Sequence, residues 1–242
     1  MGKGVWIWKL SACEGGSVAA IIAKAQRAGL TRVAVKIADG LSAYNPTPAL
    51  HTLADGLRAV GIDCWGWGWS YGGGLDRARA EADLAGHRVL GLGLTGYVID
   101  AEAQYETGNS AATARAYCVR LREIIGQVPL GVTSYWSPAL HPQVPWKAFA
   151  ALIDYWWPQV YWYTRNPRQT LQQCLAELEP YGREVIPLGA ADPGDGCNSA
   201  TELAQFCAGV NARPDLRHGA DFYSWQDVPG ANWTVIKQTQ FG

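Results

Sequence analysis

The segment Gly96-Tyr-Val-Ile-Asp-Ala-Glu102 is a short apolar run that ends in two acidic residues. An apolar run of this length, bounded by a glycine and by charged residues, is typical of a buried strand in a parallel sheet. A helical pattern from Asp76 to about His87 precedes the segment, and another from Ala111 to Ile125 follows it. The segment is therefore predicted to be one strand in an alternating series of strands and helices.

The alternation of strands and helices runs along the whole chain. The same reasoning predicts eight strands, at Val5–Lys9, Arg32–Ile37, Cys64–Trp69, Gly96–Asp100, Leu130–Ser134, Trp156–Tyr161, Val185–Gly189 and Phe222–Trp225. It predicts helices near residues 17–28, 48–60, 76–87, 111–125, 146–152, 169–178 and 200–210, with a short tail after the last strand. Glycines follow several of these helices, as is common where a helix ends, at Gly29, Gly61, Gly126 and Gly182.

Strand–helix units without an intervening linker predict an α/β fold, a (β/α)8 TIM barrel that forms a single domain over residues 1–242. An open doubly wound sheet is the alternative, and it would need a Gly-x-Gly-x-x-Gly turn after strand one. The segment at that place, Leu10-Ser-Ala-Cys-Glu-Gly-Gly16, does not have this pattern. The closed barrel is therefore the predicted architecture.

The composition argues against several classes of protein. Hydrophobic residues make up 48% of the chain and charged residues 17%, which is typical of a globular domain and not of a disordered one. The formal net charge of -1 and the lack of a basic run argue against nucleic acid as a partner. No apolar run reaches the roughly 20 residues of a membrane span, and no signal peptide is visible. We therefore expect a monomer that is cytoplasmic on synthesis and is not inserted in a membrane.

The cysteines are scattered, at positions 13, 64, 118, 174, 197 and 207. They form no Cys-x-x-Cys pair and have no paired histidine, so the sequence predicts no metal site and no other cofactor. Their even number permits disulfides, but reduced thiols are expected in a chain of this size without a secretory signal.

The two acidic residues of the opening segment are the predicted chemical centre. Active sites of such barrels lie at the C-terminal ends of the strands, which is where Asp100 and Glu102 stand. Residues two apart project from the same face of a strand, roughly 6–7 Å apart along it. Like charge and partial burial would raise the pKa of one carboxyl, which would then keep the proton that a general acid needs. The structural alternative is that one of them pairs with Lys36 or caps the next helix.

Other strand ends supply polar and aromatic side chains suited to a ligand. Gln159 and Tyr161 share one face of strand six and are predicted to hydrogen-bond a sugar, with packing of Tyr161 under a loop as the alternative. Trp69 is the residue of Trp65-Gly-Trp-Gly-Trp69 best placed to reach a ligand. Trp225, on strand eight, is either part of the pocket or part of the core. More generally, the twelve tryptophans are either core filling or stacking platforms.

Three further polar residues near strand ends are candidates for the site. Lys36 lies on strand two and Asp39 lies just past its end. Residues three apart on a regular strand project from opposite faces, so both cannot point into the barrel and at least one is expected to be structural. Asp192 begins the polar loop Asp192-Pro-Gly-Asp-Gly196 after strand seven. Turn formation is the stronger interpretation of that loop.

A family resemblance spans nearly the whole chain. Its segments are Gly4-Val-Trp-Ile-Trp-Lys9, Val35-Lys-Ile-Ala-Asp-Gly40, Gly96-Tyr-Val-Ile-Asp-Ala-Glu102 and the pair Trp225-Gln226. Together they resemble glycoside hydrolase family 25, the lysozyme-type muramidases, which carry their own Asp-x-Glu on strand four. Only this strand-four motif is specific.

Two other segments resemble lysozyme-like barrels of phages and prophages. They are Ser134-Tyr135 with the following His141-Pro and Pro145-Trp, and Pro158-Gln-Val-Tyr-Trp162. This likeness leaves open release by lysis or incorporation in a phage particle.

The resemblance implies roles for individual residues. Glu102 would be the general acid/base, and Asp100 would orient or stabilise a reacting 2-acetamido group. The chitinase-type barrels of family 18 are a more distant similarity; they share the Asp-x-Glu and a strand-six tyrosine, here Tyr161. Substrate-assisted hydrolysis of that kind needs no protein nucleophile.

The chain also departs from the muramidase pattern. Those enzymes carry an aspartate on strand one, and this chain has Trp6 there. Their late-strand aspartate has only Asp192 and Asp227 as candidate counterparts. Trp6, Tyr135 and Gln226 complete the set of expected substrate-binding positions.

The sequence is compatible with three functions. The leading hypothesis is a glycosidase acting on an N-acetylated glycan, with peptidoglycan first and chitin-like polymers second. The alternative is a catalytically impaired, carbohydrate-binding barrel in a phage or cell-wall-associated particle, which Trp6 favours and the intact Asp100/Glu102 pair opposes. A phosphate-handling barrel ranks last, because Asp192 and Asp195 would repel phosphate.

Overall fold

Eight parallel strands form a closed barrel in the computed structural model, which describes residues 2–107 and 110–242. The strands are β1 (Lys3–Ile7), β2 (Arg32–Asp39), β3 (Asp63–Trp69), β4 (Gly96–Asp100), β5 (Leu130–Tyr135), β6 (Tyr155–Val160), β7 (Leu188–Ala190) and β8 (Ala220–Tyr223). Each strand pairs with the next, and β1 pairs with both β2 and β8, which closes the barrel. The predicted (β/α)8 architecture is confirmed.

Helices follow the strands around the outside of the barrel. They are α1 (Val18–Arg27), α2 (Thr47–Ala59), α3 (Leu75–Gly91), α4 (Ser110–Ile125), α5 (Trp146–Ala150), α6 (Pro167–Leu178), α7 (Ala200–Asn211) and α8 (Gly230–Gln238). The last of these corrects the sequence prediction, which had a short tail there. The buried ammonium of Lys3 donates to the carbonyl oxygens of Ile236, Lys237 and Thr239 and so satisfies the C-terminal end of α8.

Several strands end one or two residues from their predicted ends, and the differences at strands seven and eight bear on the site. Strand seven was predicted at Val185–Gly189, but the structure has a two-residue strand, Glu184–Val185, and then β7 from Leu188. Pro187 lies between the two pieces and has no N–H to give to a ladder. Strand eight ends at Tyr223, two residues before the predicted end at Trp225.

The interior of the barrel is filled mainly by tryptophan. Trp6, Trp65, Trp67 and Trp157 pack there with smaller apolar side chains, and a separate apolar cluster lies between strands and helices. Ring centroids are 5.0 Å apart for Trp65 and Trp157 and 5.5 Å apart for Trp6 and Trp67. Gly66 alternates with the β3 tryptophans and faces outward, where an added Cβ would lie 2.7 Å from Leu94. Most of the tryptophans in these clusters are therefore core residues, and core filling was one of the two roles that the sequence allowed for them.

A buried ion pair closes the N-terminal end of the barrel, and we call it the floor. Asp221 on β8 is 1% exposed, and its Oδ1 accepts a 2.6 Å hydrogen bond from Nε of Arg32. Its Oδ2 accepts the indole N–H groups of Trp6, at 3.1 Å, and Trp157, at 2.9 Å. Both oxygens of this carboxylate are thus occupied by donors.

All six cysteines lie in the described part of the chain, and each is buried and unpaired. Burial raises the pKa of the thiols, for example that of Cys64 to about 12. Among the described residues, no helix is both long enough and apolar enough to cross a bilayer.

Candidate active site

A cavity of about 330 Å³ opens at the C-terminal end of the barrel, which we call the mouth. Each of the eight strands, or the residues just after it, contributes to its wall. The lining residues are Trp6, Trp8, Lys36, Asp39, Trp67, Trp69, Asp100, Glu102, Thr133, Gln159, Tyr161, Leu188, Asp195 and Tyr223. Apolar rings and titratable groups therefore share one small enclosure, which is the usual make-up of a ligand site.

The two acidic residues of strand four meet in this cavity. Gln159 joins them, since its Nε2 donates to Oε1 of Glu102 at 2.7 Å and lies 3.5 Å from Oδ1 of Asp100. Burial and the neighbouring Glu102 carboxylate raise the pKa of Asp100 well above the ordinary aspartate value, and the Lys36 ammonium opposes that rise. Asp100, which is 5% exposed, therefore holds a proton where an exposed aspartate has lost it.

Lys36 and Asp39 both line the cavity, which corrects the expectation that at least one of them faces away. The pairing of β2 with β3 shifts register between Lys36 and Ala38, so Ile37 is the extra residue of a β-bulge. Because of the extra residue, Lys36 and Asp39 project from the same face of the strand, and Nζ of Lys36 lies 2.9 Å from Oδ2 of Asp39. The other oxygen of Asp39 accepts from the Tyr71 hydroxyl at 2.9 Å.

The loop after β7 brings a fourth carboxyl into the cavity, and it is Asp195 rather than Asp192. Asp192 caps the turn, because its Oδ1 accepts from the backbone N–H groups of Gly194 and Asp195 and its Oδ2 from that of Ser224. This is the turn-forming role that the sequence favoured. Burial and the nearby Asp192 carboxylate raise the pKa of Asp195 to about 7. Asp192 therefore shapes the site without lining it.

Aromatic side chains form the rest of the wall. Trp8, just past β1, is 36% exposed and reaches the opening. Trp69, Tyr161 and Tyr223 also line the cavity, and the ring centroids of Tyr161 and Tyr223 are 6.2 Å apart. Flat rings at an opening suit the apolar faces of a sugar.

Trp6 forms the bottom of the cavity, where the muramidase pattern has an aspartate. Its indole N–H points to Asp221 of the floor, and its ring packs against Trp67. The residue thus separates the cavity from the buried ion pair beneath it.

Besides Asp192, three predicted binding residues do not line the cavity. Tyr135 stacks on His141 with centroids 3.5 Å apart. Gln226 lies outside as well, and its Oε1 accepts the backbone N–H of Trp8 at 3.2 Å, which holds that residue in place. Gln226 therefore supports Trp8 at the opening, whereas Tyr135 packs outside the cavity.

Trp225 is the third predicted binding residue outside the cavity, so the expectation that it forms part of the pocket was wrong. Because β8 ends at Tyr223, Trp225 lies past the strand and packs outside the barrel. Its indole donates to Oε1 of Glu14 at 3.2 Å, and its ring lies 4.9 Å from that of Trp233 on α8. At 2% exposure it is a core residue.

Several lining residues were not predicted from the sequence. They are Trp8, Trp67, Thr133, Leu188, Asp195 and Tyr223. Alternation along a strand was the available signal for two of them, since Trp8 is two residues from Trp6 and Trp67 is two from Trp69. Asp195 was visible in its loop, but nothing in the sequence separated it from Asp192.

The arrangement is suited to proton transfer beside a bound ring. A carboxyl that keeps its proton lies next to a second carboxyl, and Gln159 fixes the position of both. Of the other two carboxyls that line the cavity, Asp39 is hydrogen-bonded to Lys36 and Tyr71. Asp195 is partly protonated near pH 7 because its pKa is raised.

Comparison with solved structures finds the same barrel in carbohydrate-active enzymes. A GH18 chitinase from Pseudoalteromonas aurantia matches with a TM-score of 0.76 at 14% identity, covering 99% of this chain and 100% of that one. A chitinase from Chromobacterium violaceum matches at 0.68 and 15% identity, with 99% of both chains covered. An endo-β-N-acetylglucosaminidase from Cordyceps militaris matches at 0.70 and 15% identity, over 98% of this chain and 88% of that one.

No family model matches the sequence, and no curated protein matches it significantly. At these identities the structural likenesses establish the fold alone. They agree with the more distant similarity to chitinase-type barrels, whereas the resemblance to family 25 stays a prediction.

Proposed function

We propose that this chain is a single-domain glycoside hydrolase that cleaves an N-acetylated glycan, with peptidoglycan as the first candidate and chitin-like polymers as the second. The observation that carries the proposal is the Asp100/Glu102 pair, which lies in the cavity at the mouth of the barrel and is bridged by Gln159. Burial and the neighbouring Glu102 raise the pKa of Asp100. The barrels of similar shape are described as chitinases and an endo-β-N-acetylglucosaminidase, which agrees with this class of substrate.

In the proposed reaction, binding of the substrate redistributes the proton of the pair. The N–H of a 2-acetamido group donates to Asp100 and stabilises its carboxylate, so the proton passes to Glu102. Glu102 then gives that proton to the glycosidic oxygen as the bond to the anomeric carbon breaks. The acetamido oxygen bonds to the anomeric carbon in the same step. A water molecule that Glu102 deprotonates afterwards replaces the acetamido oxygen and returns the site to its starting state.

Substrate assistance is favoured because the cavity offers no free carboxylate as a nucleophile among its described lining residues. Asp39 is engaged by Lys36 and by the Tyr71 hydroxyl. Asp195 has a pKa near 7, raised by burial and Asp192, so it is largely protonated in mildly acidic solution. The acetamido oxygen of the substrate supplies the missing nucleophile.

The test is hydrolysis of chitin oligosaccharides and of purified peptidoglycan by two isosteric variants. Glu102→Gln removes the transferable proton and should lower turnover by about 100-fold or more. Asp100→Asn should cost a comparable factor and leave ligand affinity largely intact, because the amide keeps the shape of the carboxyl. Asp63→Asn, at the opposite end of the barrel, is the matched control and should be fully active.

A binding barrel in a phage or cell-wall-associated particle is the second candidate. The indole of Trp6 favours it, because it occupies the muramidase acid position and is tied to Asp221. Wild-type protein that binds N-acetylated glycans but hydrolyses none of them would replace the enzyme proposal with this one.

A further inference from the structure

The hydroxyl of Thr133 is a buried polar group without a hydrogen-bond partner in the described chain. Thr133 lies on β5, level with Asp100 on β4 and with Trp157 on β6. It is 1% exposed and forms part of the cavity wall. The group therefore lies beside the protonated carboxyl, at the depth where a bound group meets Asp100.

Packing alone does not explain a threonine at this position. Valine has nearly the same shape and would fill the wall without burying a hydroxyl, and unpaired buried hydroxyls destabilise a fold. Native structures leave such groups unpaired mainly where a ligand or water completes them. The position in the cavity wall makes a ligand the natural partner.

We propose that the Thr133 hydroxyl determines specificity by hydrogen-bonding the 2-acetamido group of the sugar bound against Asp100. This inference rests on the proposed function and names the group that the cavity recognises. An amide offers both a donor and an acceptor, and a hydroxyl pairs with either. A sugar with a 2-hydroxyl is shorter by the length of the acyl group and leaves Thr133 unpaired, so the site discriminates against it.

The adjacent residue provides a matched control. Ser134 is also 1% exposed, and its Oγ also lacks a partner in the described chain. It projects from the opposite face of β5 and does not line the cavity. Ser134→Ala therefore removes the same kind of group without touching the site.

The experiment is calorimetric titration of an N-acetylglucosamine tetramer into full-length protein carrying Glu102→Gln, so that the ligand is not consumed. Adding Thr133→Val should weaken binding about tenfold, equivalent to about 1.4 kcal/mol. Thr133→Ser should bind within about threefold of the parent, since it keeps the hydroxyl. Ser134→Ala should bind as the parent does. The melting temperature of Thr133→Val should equal or exceed that of the parent, because an unpaired buried hydroxyl has been replaced by a methyl group.

A second ligand tests whether the amide is the partner. Cellotetraose has no acetamido groups, so Thr133→Val should leave its affinity unchanged, whether that affinity is weak or undetectable. An equal loss for both ligands would show that Thr133 contacts a ring hydroxyl and would overturn the proposal. Parent-like binding of the tetramer by Thr133→Val would also overturn it and leave the proposed hydrolase intact. Failure of the unsubstituted protein to bind or cleave any N-acetylated glycan would remove both proposals together.

Discussion

The floor and the mouth of the barrel contain the same residue types, aspartate and tryptophan, in different roles. At the floor, the Asp221 carboxylate is paired with Arg32 and with two indole N–H groups, and both of its oxygens are occupied. At the mouth, Asp100 and Asp195 lie in a cavity, and each has its pKa raised by burial and by a neighbouring carboxylate. A carboxylate whose two oxygens both accept hydrogen bonds has a structural role. Carboxyl groups that lie close together beside a cavity are able to exchange protons.

The comparison also separates two kinds of aromatic residue. Trp157 donates its N–H to the floor and packs against Trp65 in the interior. Trp8 and Trp69 have rings that face the cavity. Residue type alone does not distinguish these roles, which depend on whether the ring lines the cavity.

The largest expected effect is loss of stability when the floor loses its carboxylate. Asp221→Ala leaves the Arg32 charge buried and unpaired and leaves two indole N–H groups without an acceptor. We expect the free energy of unfolding to fall by about 3–5 kcal/mol, measured by urea denaturation. The surface pair Asp55–Arg58 is the control, and Asp55→Ala should change stability by less than about 1 kcal/mol. A stable Asp221→Ala protein that has lost hydrolysis would contradict the structural assignment of the floor.

The next effect is a pH-dependent change of stability at the mouth. The pKa of Asp195 is raised from 3.8 to about 7 in the folded state. Between these values the unfolded chain releases a proton that the folded chain keeps, so Asp195 lowers stability progressively as pH rises and reaches its full effect above pH 7. Asp195→Asn should therefore melt several degrees above wild type at pH 8, with the difference vanishing near pH 4. Thermal scans of Asp55→Asn should show no such pH dependence, and a constant difference for Asp195→Asn would refute the assignment.

The smallest expected effect is on ligand affinity, and it concerns the two classes of tryptophan. Trp69→Ala should weaken binding of an N-acetylglucosamine oligomer about tenfold, because a ring at the opening is lost. Trp225→Ala should leave that affinity unchanged and lower the melting temperature, because its ring packs on Trp233. Calorimetric titration and thermal melting of both variants decide the matter. Equal losses of affinity would mean that Trp225 reaches the ligand after all.

The fold could be predicted because it depends on local patterns repeated along the chain. Strand β4 was predicted residue for residue, since Gly96 and Asp100 bound an uninterrupted apolar run. Helix α8 was missed, because Gly230 at its start and a mostly uncharged sequence gave it little helical signal. Packing against the barrel and the contacts of Lys3 stabilise it instead.

The candidate site could be predicted only in part, because it depends on small departures from regular geometry. The bulge at Ile37 turned Asp39 into the cavity, and the early end of β8 turned Trp225 out of it. Each change involves one or two residues, and each reverses the side of the sheet on which a side chain lies. Glu102 and Asp100 were placed correctly in the mouth because no irregularity separates them from β4.

The packed indoles of the interior have an optical consequence. Trp6 and Trp67, and likewise Trp65 and Trp157, are close enough for their electronic transitions to couple, and all four are shielded from water. Their near-ultraviolet circular dichroism should report closure of the barrel, and their emission should lie at short wavelength. Trp6 and Trp67 line the cavity with Trp8 and Trp69, so a ligand should change the emission of these four residues. Trp65 and Trp157 do not line it, so the coupled signal of this pair should report folding and should be nearly insensitive to binding.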